Sequence, residues 1–296
     1  MSRARRDARP SGPAAAPRRR ERQTLEHAGL RIRFAEFGPI GGVEAGPPLV
    51  LIHGLFLSHH MFDRLIERLP DRRVIALDLR GHGRSSRPLE AYRYSWASLG
   101  EDVVAVLDHL GIDRAVVAGL SLGAGVTVGL AHTHPERLAG MIVEMPVLGR
   151  SEGVARVVFG VAATAFRLNS FWLGPLTRPL RNLPDPPGPS ELRLALDVAR
   201  LHPIAAAAVI EGLSASELPI HDREGLAGIR VPALVIGHRL DPIHDLSDAV
   251  LLAERIPDAE LVEVAHIASF RLEPDRYAEV VRDFLDRKAG RLRAAG

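Results

Sequence analysis

A serine between two glycines is the feature of this sequence that most directly suggests chemistry. Ser121 stands in the pentapeptide Gly119-Leu120-Ser121-Leu122-Gly123, between the β-branched run AVVAG and a run of small residues. A serine hydroxyl is a weak nucleophile at neutral pH, so it needs a base, a group that orients that base, and donors for the oxyanion that forms. The G-x-S-x-G spacing predicts a sharp strand-to-helix turn that exposes the serine. Ser121 is therefore the candidate nucleophile, and the alternative is a structural turn serine.

Candidates for the other roles follow the carboxyl ends of other predicted strands. Asp241 comes after the run ALVIG and His266 after the run ELVEV, so we predict that Asp241 orients His266 as the general base. The backbone N–H groups of Leu55 and Leu122 are the predicted oxyanion donors. The chain order of serine, acid and histidine separates this sequence from the other serine-enzyme folds.

Several residues near this constellation leave alternatives open. Asp245 lies four residues after Asp241 and is expected to serve the N-terminus of the next helix, whereas Glu144 ends an earlier strand and is an alternative acid. His238 and His244 flank Asp241, and together they could indicate a metal site. Because no further cluster of ligands accompanies them, we predict no metal and no cofactor.

The elements that must position these residues alternate along the chain. Short apolar runs, typical of strands buried on both faces, alternate with stretches of helical periodicity. This alternation predicts right-handed crossovers and a mostly parallel sheet with helices on both faces. Two short alternating segments around residues 27–29 predict an antiparallel hairpin at an edge. The apolar runs that predict strands are LVLIHG, RVIALD, AVVAG, AGMIVEMP, VPALVIG and ELVEV.

The same pattern divides the chain into three parts. Residues 1–22 contain eight arginines against two acidic residues, and we predict a disordered tail there. Residues 23–146 and 223–296 are predicted to form the α/β core. Residues 147–222 lack a buried-strand run and are predicted to form a helical cap inserted in the core. The candidate substrate-binding residues are aromatic: Phe56, Phe159, Phe166 and Trp172.

Composition and charge exclude some classes of function. The chain has no cysteine, which excludes disulfides, thiolate zinc sites and a cysteine nucleophile. The net charge is +2, and the tail's excess of six positive charges leaves the rest at about −4, which argues against a nucleic-acid groove on the folded part. No apolar signal segment follows the arginines, so we expect a cytoplasmic protein without stable membrane insertion. An electrostatic contact of the tail with a membrane or nucleic acid is the alternative to a tail without a role.

From about Leu25 to Lys288 these motifs together resemble the α/β-hydrolase superfamily. The segment LIHGLF is similar to that family's oxyanion-loop strand, DLRGHGRSSRP to the loop after its next parallel strand, and GLSLGAG to its nucleophile elbow. The segment GHRLDPIH resembles the acid loop, and VEVAHIASFRLEPDRYAEVVRDFL resembles the histidine loop with its closing helix. Ala265 departs from the glycine that members often have before the histidine. The resemblance implies an α/β-hydrolase fold with an inserted lid.

The resemblance also implies a reaction. It indicates a serine hydrolase that cleaves an ester or related acyl bond of a small, apolar substrate through an acyl-enzyme on Ser121. Because the elbow carries serine where epoxide-opening and dehalogenating members carry aspartate, acyl chemistry is favoured. The alternatives with the same triad are a carbon–carbon bond hydrolase, a lactonase and a cofactor-free perhydrolase. A ligand receptor on this fold, with negligible turnover, is the alternative from another class.

Overall fold

The computed structural model describes residues 18–39, 45–218, 223–267 and 272–288. Eight strands of this part form one sheet in the order β1-β2-β4-β3-β5-β6-β7-β8. β2 runs antiparallel to β1 and β4, and the remaining neighbours are parallel, which confirms the predicted mostly parallel sheet. The strands are β1 (Arg18–His27), β2 (Leu30–Gly38), β3 (Leu49–Ile52), β4 (Val74–Asp78), β5 (Ala115–Leu120), β6 (Leu138–Glu144), β7 (Ala233–Leu240) and β8 (Ala259–His266).

Helices connect the parallel strands and fill the segment between β6 and β7. Ser95 begins the helix before β5 by accepting a hydrogen bond from the Ser98 N–H, as its position before an amphipathic run predicts. Three short 3₁₀ turns occur in the loops of the described part. The α-helices are α1 (Asp63–Ile66), α2 (Trp96–His109), α3 (Leu122–Thr133), α4 (Gly149–Leu168), α5 (Ser170–Arg181), α6 (Ser190–Ala199), α7 (Pro203–Ala215), α8 (Arg223–Gly228), α9 (Leu246–Arg255) and α10 (Pro274–Arg287).

Helices cover both faces of the sheet, as the wholly apolar strands predict. Successive side chains of a strand point to opposite faces, so one strand contributes to two cores. In β3, Leu49 and Leu51 pack into the core that contains α1 and α10. Val50 and Ile52 pack into the larger core, which contains α2, α3, α8 and α9. The sheet is therefore the middle layer, and its carboxyl edge is where the loops can form a site.

β1 and β2 form the expected edge hairpin, and β1 begins earlier than predicted. Ala28 and Gly29 have positive φ angles of 50° and 71°, the conformation of a two-residue hairpin turn. β1 starts at Arg18, paired with Gly38, so five residues of the predicted tail 1–22 belong to a strand. Backbone pairing at a sheet edge needs no apolar side chain, which is why composition alone missed it. The rest of the predicted tail lies outside the described residues.

The segment between β6 and α8 is helical in its described part and packs on the core through apolar contacts of α7 and through polar contacts. The loop after α5 places the Asp185 carboxylate against the guanidinium groups of Arg22, at 2.5 Å, and Arg84, at 3.0 Å. Hydrogen bonds from His60, Arg200 and Arg84 hold the pKa of Asp185 well below its usual range. One buried carboxylate therefore joins the hairpin edge, the loop after β4 and the cap.

Arg200 is the buried cation at the centre of this contact. Its side chain is fully buried, and it bonds to Asp185 at 2.9 Å and to Asp197 at 3.1 Å. It also donates to the Leu180 and Pro184 carbonyls. A buried charge with this many partners costs free energy mainly when one member of the network is removed.

Arg200→Ala should therefore destabilise the protein. Removing the guanidinium leaves the two buried carboxylates without the positive charge that balances them. Breaking a buried ion pair in this way costs about 3–5 kcal/mol. Urea unfolding followed by circular dichroism measures the change. The matched control is Arg276→Ala, because Arg276 and its partner Glu273 are both more than half exposed. That variant should stay within about 0.5 kcal/mol of wild type, and an equal loss in both variants would contradict the role of burial.

Candidate active site

Ser121 lies in a strained turn between β5 and α3. Its backbone has φ 53° and ψ −107°, a region that a residue with a side chain rarely occupies. The Ser121 N–H donates to the Glu144 carbonyl at 2.9 Å, which ties the turn to β6. A Cβ atom at Gly119 would lie 2.0 Å from the Gly123 carbonyl oxygen, so the turn closes only with glycine there. This is the structural context that the G-x-S-x-G spacing requires.

The start of α3 presses against the end of β3. A Cβ atom at Gly123 would lie 2.2 Å from the Ile52 carbonyl oxygen. This approach brings the loop after β3 beside the elbow, and Leu55 and Leu122 both line the same cavity as Ser121. Leu122 is the first residue of α3, whose first N–H groups have no partner within the helix. The two predicted oxyanion donors therefore belong to segments that meet at the serine.

The imidazole hydrogen-bonded to Ser121 is that of His244. Its Nε2 lies 2.9 Å from Ser121 Oγ, and its Nδ1 lies 2.8 Å from Asp241 Oδ2. The Asp241 side chain is fully buried and that of His244 is 9% exposed. If Nδ1–H donates to the carboxylate, Nε2 is left as the acceptor that faces the serine hydroxyl. Serine, imidazole and carboxylate thus form a continuous chain of hydrogen bonds.

Asp241 organises its own loop as well as the imidazole. Its Oδ1 accepts the backbone N–H groups of Ile243, at 2.9 Å, and His244, at 3.0 Å. Burial alone would raise the pKa of Asp241, but these two N–H donors and the His244 ring outweigh it and lower the pKa. The carboxylate therefore remains ionised beside the ring, and it holds the turn in which His244 stands.

This contact involves a different histidine from the one that sequence analysis predicts. We predicted His266 on Ser121, whereas the structure puts His244 there. His266 is the last residue of β8, paired in register with Leu240, and residues 268–271 beyond it lie outside the described part. The signal that was available is the spacing Asp-x-x-His after β7, because a turn of that length brings the imidazole back onto the carboxylate.

The two alternative acids have other partners. Glu144 is buried at the end of β6, where it accepts the Tyr277 hydroxyl at 3.0 Å and lies 3.1 Å from His238 Nε2. Burial, and then the Glu144 carboxylate, raise the pKa of Tyr277, so its hydroxyl stays a donor. Asp245 accepts the Ser247 N–H and caps α9, as its position predicts. Asp241 is the carboxylate that contacts the imidazole at Ser121.

His53 shapes the loop that carries Leu55. The ring is fully buried, and its Nδ1 lies 2.8 Å from the Gly54 carbonyl oxygen while its Nε2 accepts the Leu79 N–H at 3.1 Å. Burial lowers the pKa of His53, which favours the neutral ring that these two contacts need. Phe56, three residues after His53, has a positive φ of 63°. The loop is held by its buried imidazole, which agrees with a structural role for His53.

A cavity of about 790 Å³ opens beside Ser121, a volume suited to a small organic molecule. Its lining comes from α4 and α7 of the cap, from the elbow, and from α2, α8 and α9. Most of its lining residues are apolar, and the polar ones include several serines and an ion pair of Glu152 with Arg156. Its apolar lining includes Leu55, Trp96, Leu122, Phe159, Ile210 and Leu213.

The four aromatic residues predicted to bind substrate have different positions. Phe159 lines the cavity. Phe56 and Phe166 pack edge to face, with ring centroids 5.5 Å apart, in the cluster behind it. Trp172 is 73% exposed on the outer side of the cap, so its prediction as a cavity residue is wrong. Sequence periodicity did not distinguish the two sides of these cap helices because both are apolar. No group of three His, Asp or Glu side chains suited to a metal occurs in the described residues.

The fold and the site define an α/β enzyme with a serine at a strand-to-helix elbow. A sequence profile described as alpha/beta hydrolase fold matches residues 47–268. The chain belongs to this family. The predicted α/β-hydrolase fold is thereby confirmed, and the protein is a member of a family of hydrolases.

Individual relatives cover nearly the whole chain. It is 29% identical over 276 residues to 3-oxoadipate enol-lactonase 2 of Acinetobacter baylyi, a match that covers 90% of this chain and 97% of that protein. The crystal structure of the enol-lactonase from Burkholderia xenovorans LB400 aligns with a TM-score of 0.71 at 27% identity, over 89% of this chain and 99% of that one. The esterase RhEst1 from Rhodococcus sp. ECU1013 aligns with a TM-score of 0.68 at 25% identity, over 93% and 100%. These relatives are named as enol-lactonases and an esterase.

Gly123→Ala should destabilise the fold through the elbow. The added methyl would overlap the Ile52 carbonyl in a central strand, and overpacking of this kind costs about 1–3 kcal/mol. Denaturant unfolding measures the loss. Gly160→Ala is the matched control, because Gly160 lies inside α4 with open space around it and alanine favours a helix by about 0.5–1 kcal/mol. Destabilisation by Gly160→Ala as large as that by Gly123→Ala would show that the close approach is not the cause.

Proposed function

We propose that this protein hydrolyses carboxylic esters, cyclic esters included, of small apolar substrates through an acyl-enzyme on Ser121. The observation that carries the proposal is the hydrogen-bond chain from Ser121 through His244 to Asp241, at the wall of a cavity large enough for such a substrate. The names of the relatives, enol-lactonases and an esterase, support both open and cyclic esters as the substrate class.

In the first half of the proposed reaction, Ser121 Oγ attacks the ester carbonyl. His244 Nε2 removes the hydroxyl proton, and Asp241 holds the ring in the tautomer that presents Nε2 and stabilises the imidazolium. The carbonyl oxygen becomes an oxyanion, which the N–H groups of Leu55 and Leu122 stabilise. His244 then gives its proton to the leaving alkoxide, so the C–O bond breaks and the acyl group stays on Ser121.

In the second half, water takes the place of the alcohol. His244 removes a proton from water as the hydroxide attacks the acyl-enzyme, and the same N–H groups stabilise the second oxyanion. Collapse of this tetrahedral intermediate breaks the bond to Ser121 Oγ and releases the acid, and His244 returns its proton to Ser121. For a lactone, alcohol and acid are parts of one product molecule, and the steps are otherwise the same. No cofactor enters either half.

The lining of the cavity supports an apolar acyl or alkyl group. Trp96 and Phe159 offer aromatic surface near Ser121, and Ile210 and Leu213 of α7 extend the apolar wall. Burying each CH₂ group of a substrate chain there contributes about 0.8 kcal/mol. Apolar residues outnumber charged ones in this lining, so an ester of moderate chain length fits better than a highly charged substrate.

Ser121→Ala should remove covalent labelling by a fluorophosphonate probe and should lower kcat for p-nitrophenyl esters by about 10⁴-fold or more, because the nucleophile is lost. Gel fluorescence and a chromogenic assay measure the two effects. Ser214→Ala is the control for labelling, since Ser214 lines the same cavity but lies outside the hydrogen-bond chain. Retained labelling of Ser121→Ala would exclude Ser121 as the nucleophile.

The same assay, extended to lactones, separates the substrate classes. A set of p-nitrophenyl esters and lactones of increasing chain length gives kcat/KM for each. Turnover of esters alone, or of lactones alone, narrows the proposal to one class. Tight binding of these compounds without turnover by wild type would contradict hydrolysis and favour a receptor on this fold.

His244→Ala should lower kcat by about 10³-fold or more, because Ser121 loses the base that contacts it. His266→Ala is the matched control, and we expect its kcat within about tenfold of wild type. Both variants are compared on one ester, with thermal unfolding to establish that each is folded. If His266→Ala is the inactive variant while His244→Ala is nearly normal, the base is His266, and the assignment of Ser121 stands.

A further inference from the structure

An indole that packs against a glycine belongs to the lining of the cavity beside the nucleophile. Trp96, Gly125 and Ser121 all line this cavity. A Cβ atom at Gly125 would lie 2.5 Å from Trp96 Cζ3, 3.0 Å from its Cη2 and 3.2 Å from its Cε3. The six-membered ring of Trp96 therefore rests directly on the backbone of α3, at a position where glycine leaves room for it.

Gly125 stands one helical turn beyond the nucleophile. Its N–H donates to the Ser121 carbonyl at 3.1 Å, the hydrogen bond that closes one turn of an α-helix. Four helical residues rise about 6 Å along the axis. Because both residues also line the cavity, the indole borders the cavity about 6 Å along α3 from the serine.

Both partners of this contact are held in place. Trp96 is the first residue of α2, and Ser95 and Ser98 form a capping box around it, with hydrogen bonds of 3.1 Å and 3.0 Å between their hydroxyls and backbone N–H groups. The ring is half-buried and packs against the larger core. Gly125 is buried inside α3, where a glycine weakens the helix relative to alanine. Room for the indole is the structural reason for a glycine at this position.

The order of the strands places the indole and the base on different sides of the serine. β7, whose loop carries His244, lies two strands to one side of β5, and β4 lies two strands to the other side. Trp96 begins the helix that connects β4 to β5. The elbow at the end of β5 therefore has His244 toward β7 and Trp96 toward β4.

The proposed reaction assigns the two parts of an ester to these two sides. The leaving oxygen takes its proton from His244 Nε2, so it faces the β7 side of Ser121. The acyl carbon is bonded to Ser121 Oγ, and its chain extends away from the leaving group, toward the β4 side. The acyl chain then runs beside α3 until it meets the indole of Trp96.

We propose that Trp96, seated on Gly125, limits the length of the acyl chain, so that this protein prefers esters whose acyl group has a few carbons. The inference rests on the proposed hydrolysis at Ser121. Trp96 determines specificity by contact with the acyl chain and takes no part in proton transfer. In an apolar site of fixed shape, a single methylene group changes kcat/KM by about tenfold or more, so one ring is enough to set a limit.

The p-nitrophenyl esters of acetate, butyrate, octanoate and laurate test the proposal, because only the acyl chain varies among them. For wild type, kcat/KM should fall by about tenfold or more from butyrate to octanoate, since the surplus methylene groups meet the ring. Trp96→Ala removes the ring and should raise the octanoate-to-butyrate ratio of kcat/KM by about tenfold or more. Trp96→Phe, with a smaller ring, should give an intermediate ratio. Thermal unfolding should show that each variant is folded.

Gly125→Ala tests the contact itself. Its methyl group overlaps the ring of Trp96, so the cavity narrows, and kcat/KM for butyrate should fall by about tenfold. In the Trp96→Ala background the same substitution meets no ring and should change kcat/KM by less than about threefold. The four proteins form a double-mutant cycle. Additive effects of the two substitutions would contradict the contact as the cause.

Trp172→Ala is the matched control, because Trp172 is a tryptophan that is 73% exposed on the outer side of the cap. This variant should keep the chain-length profile of wild type. A second series keeps acetate as the acyl group and lengthens the alcohol, with turnover followed by release of acid. Trp96→Ala should leave the profile of this series unchanged.

The outcomes separate this inference from the proposed function. If wild type hydrolyses the esters and Trp96→Ala keeps the same acyl-chain profile, the inference is overturned and the proposed function stands. A response of Trp96→Ala in the alcohol series alone would overturn it as well. If wild type shows neither turnover nor fluorophosphonate labelling, the proposed function fails and the inference fails with it.

Discussion

The close approach of α3 to β3 and β5 is the constraint on which the site depends. Gly119 and Gly123 let three backbone segments meet at distances that no Cβ atom permits. Because the helix begins directly against the sheet, Ser121 must take its positive φ, which costs about 1–3 kcal/mol and persists only when the surroundings enforce it. The hydrogen bond from its N–H to the Glu144 carbonyl and the buried packing of α3 supply that enforcement. The exposed hydroxyl and the helix N-terminus beside it are consequences of the same approach.

Carboxylate and imidazole pairs recur at the carboxyl ends of the strands, and they differ in what the second ring nitrogen faces. Asp78 at the end of β4 bonds to His59 at 2.8 Å, and Glu144 at the end of β6 lies 3.1 Å from His238. Asp78 also accepts backbone N–H groups and holds its loop. In the pair of His244 with Asp241, the second ring nitrogen is within hydrogen-bond distance of the Ser121 hydroxyl. The same kind of carboxylate–imidazole pair therefore anchors a loop at Asp78 and, after β7, contacts the serine that lines the cavity.

The sequence pattern predicted the strands and the helix starts, which depend on neighbouring residues. It did not predict the histidine at Ser121, which depends on how distant segments fold together. The apolar runs predict the strands because a strand buried on both faces does not alternate apolar with polar residues. Ser95 and Asp245 mark helix starts because their side-chain oxygens accept backbone N–H groups of the first turn. His244 was not predicted as the partner of Ser121, since the sequence has 13 histidines and the resemblance favoured the one after the last strand. The Asp-x-x-His spacing permits the turn that returns His244 to Asp241, but two backbone hydrogen bonds to the Asp241 carboxylate fix it, and these are visible only in the structure.

α4 links the cavity to the outer surface of the cap. Its start is fixed by Asp248, which accepts the Leu148 and Ser151 N–H groups at 3.0 Å, and Ser151 Oγ accepts the Asp245 N–H at 2.7 Å. These bonds join the first turn of α4 to the loop that carries Asp241 and His244. From this fixed start the helix runs with one side on the cavity and the other exposed. A displacement of α4 by contact at its outer side would therefore change the cavity wall first, while the end tied to the acid loop stays in place.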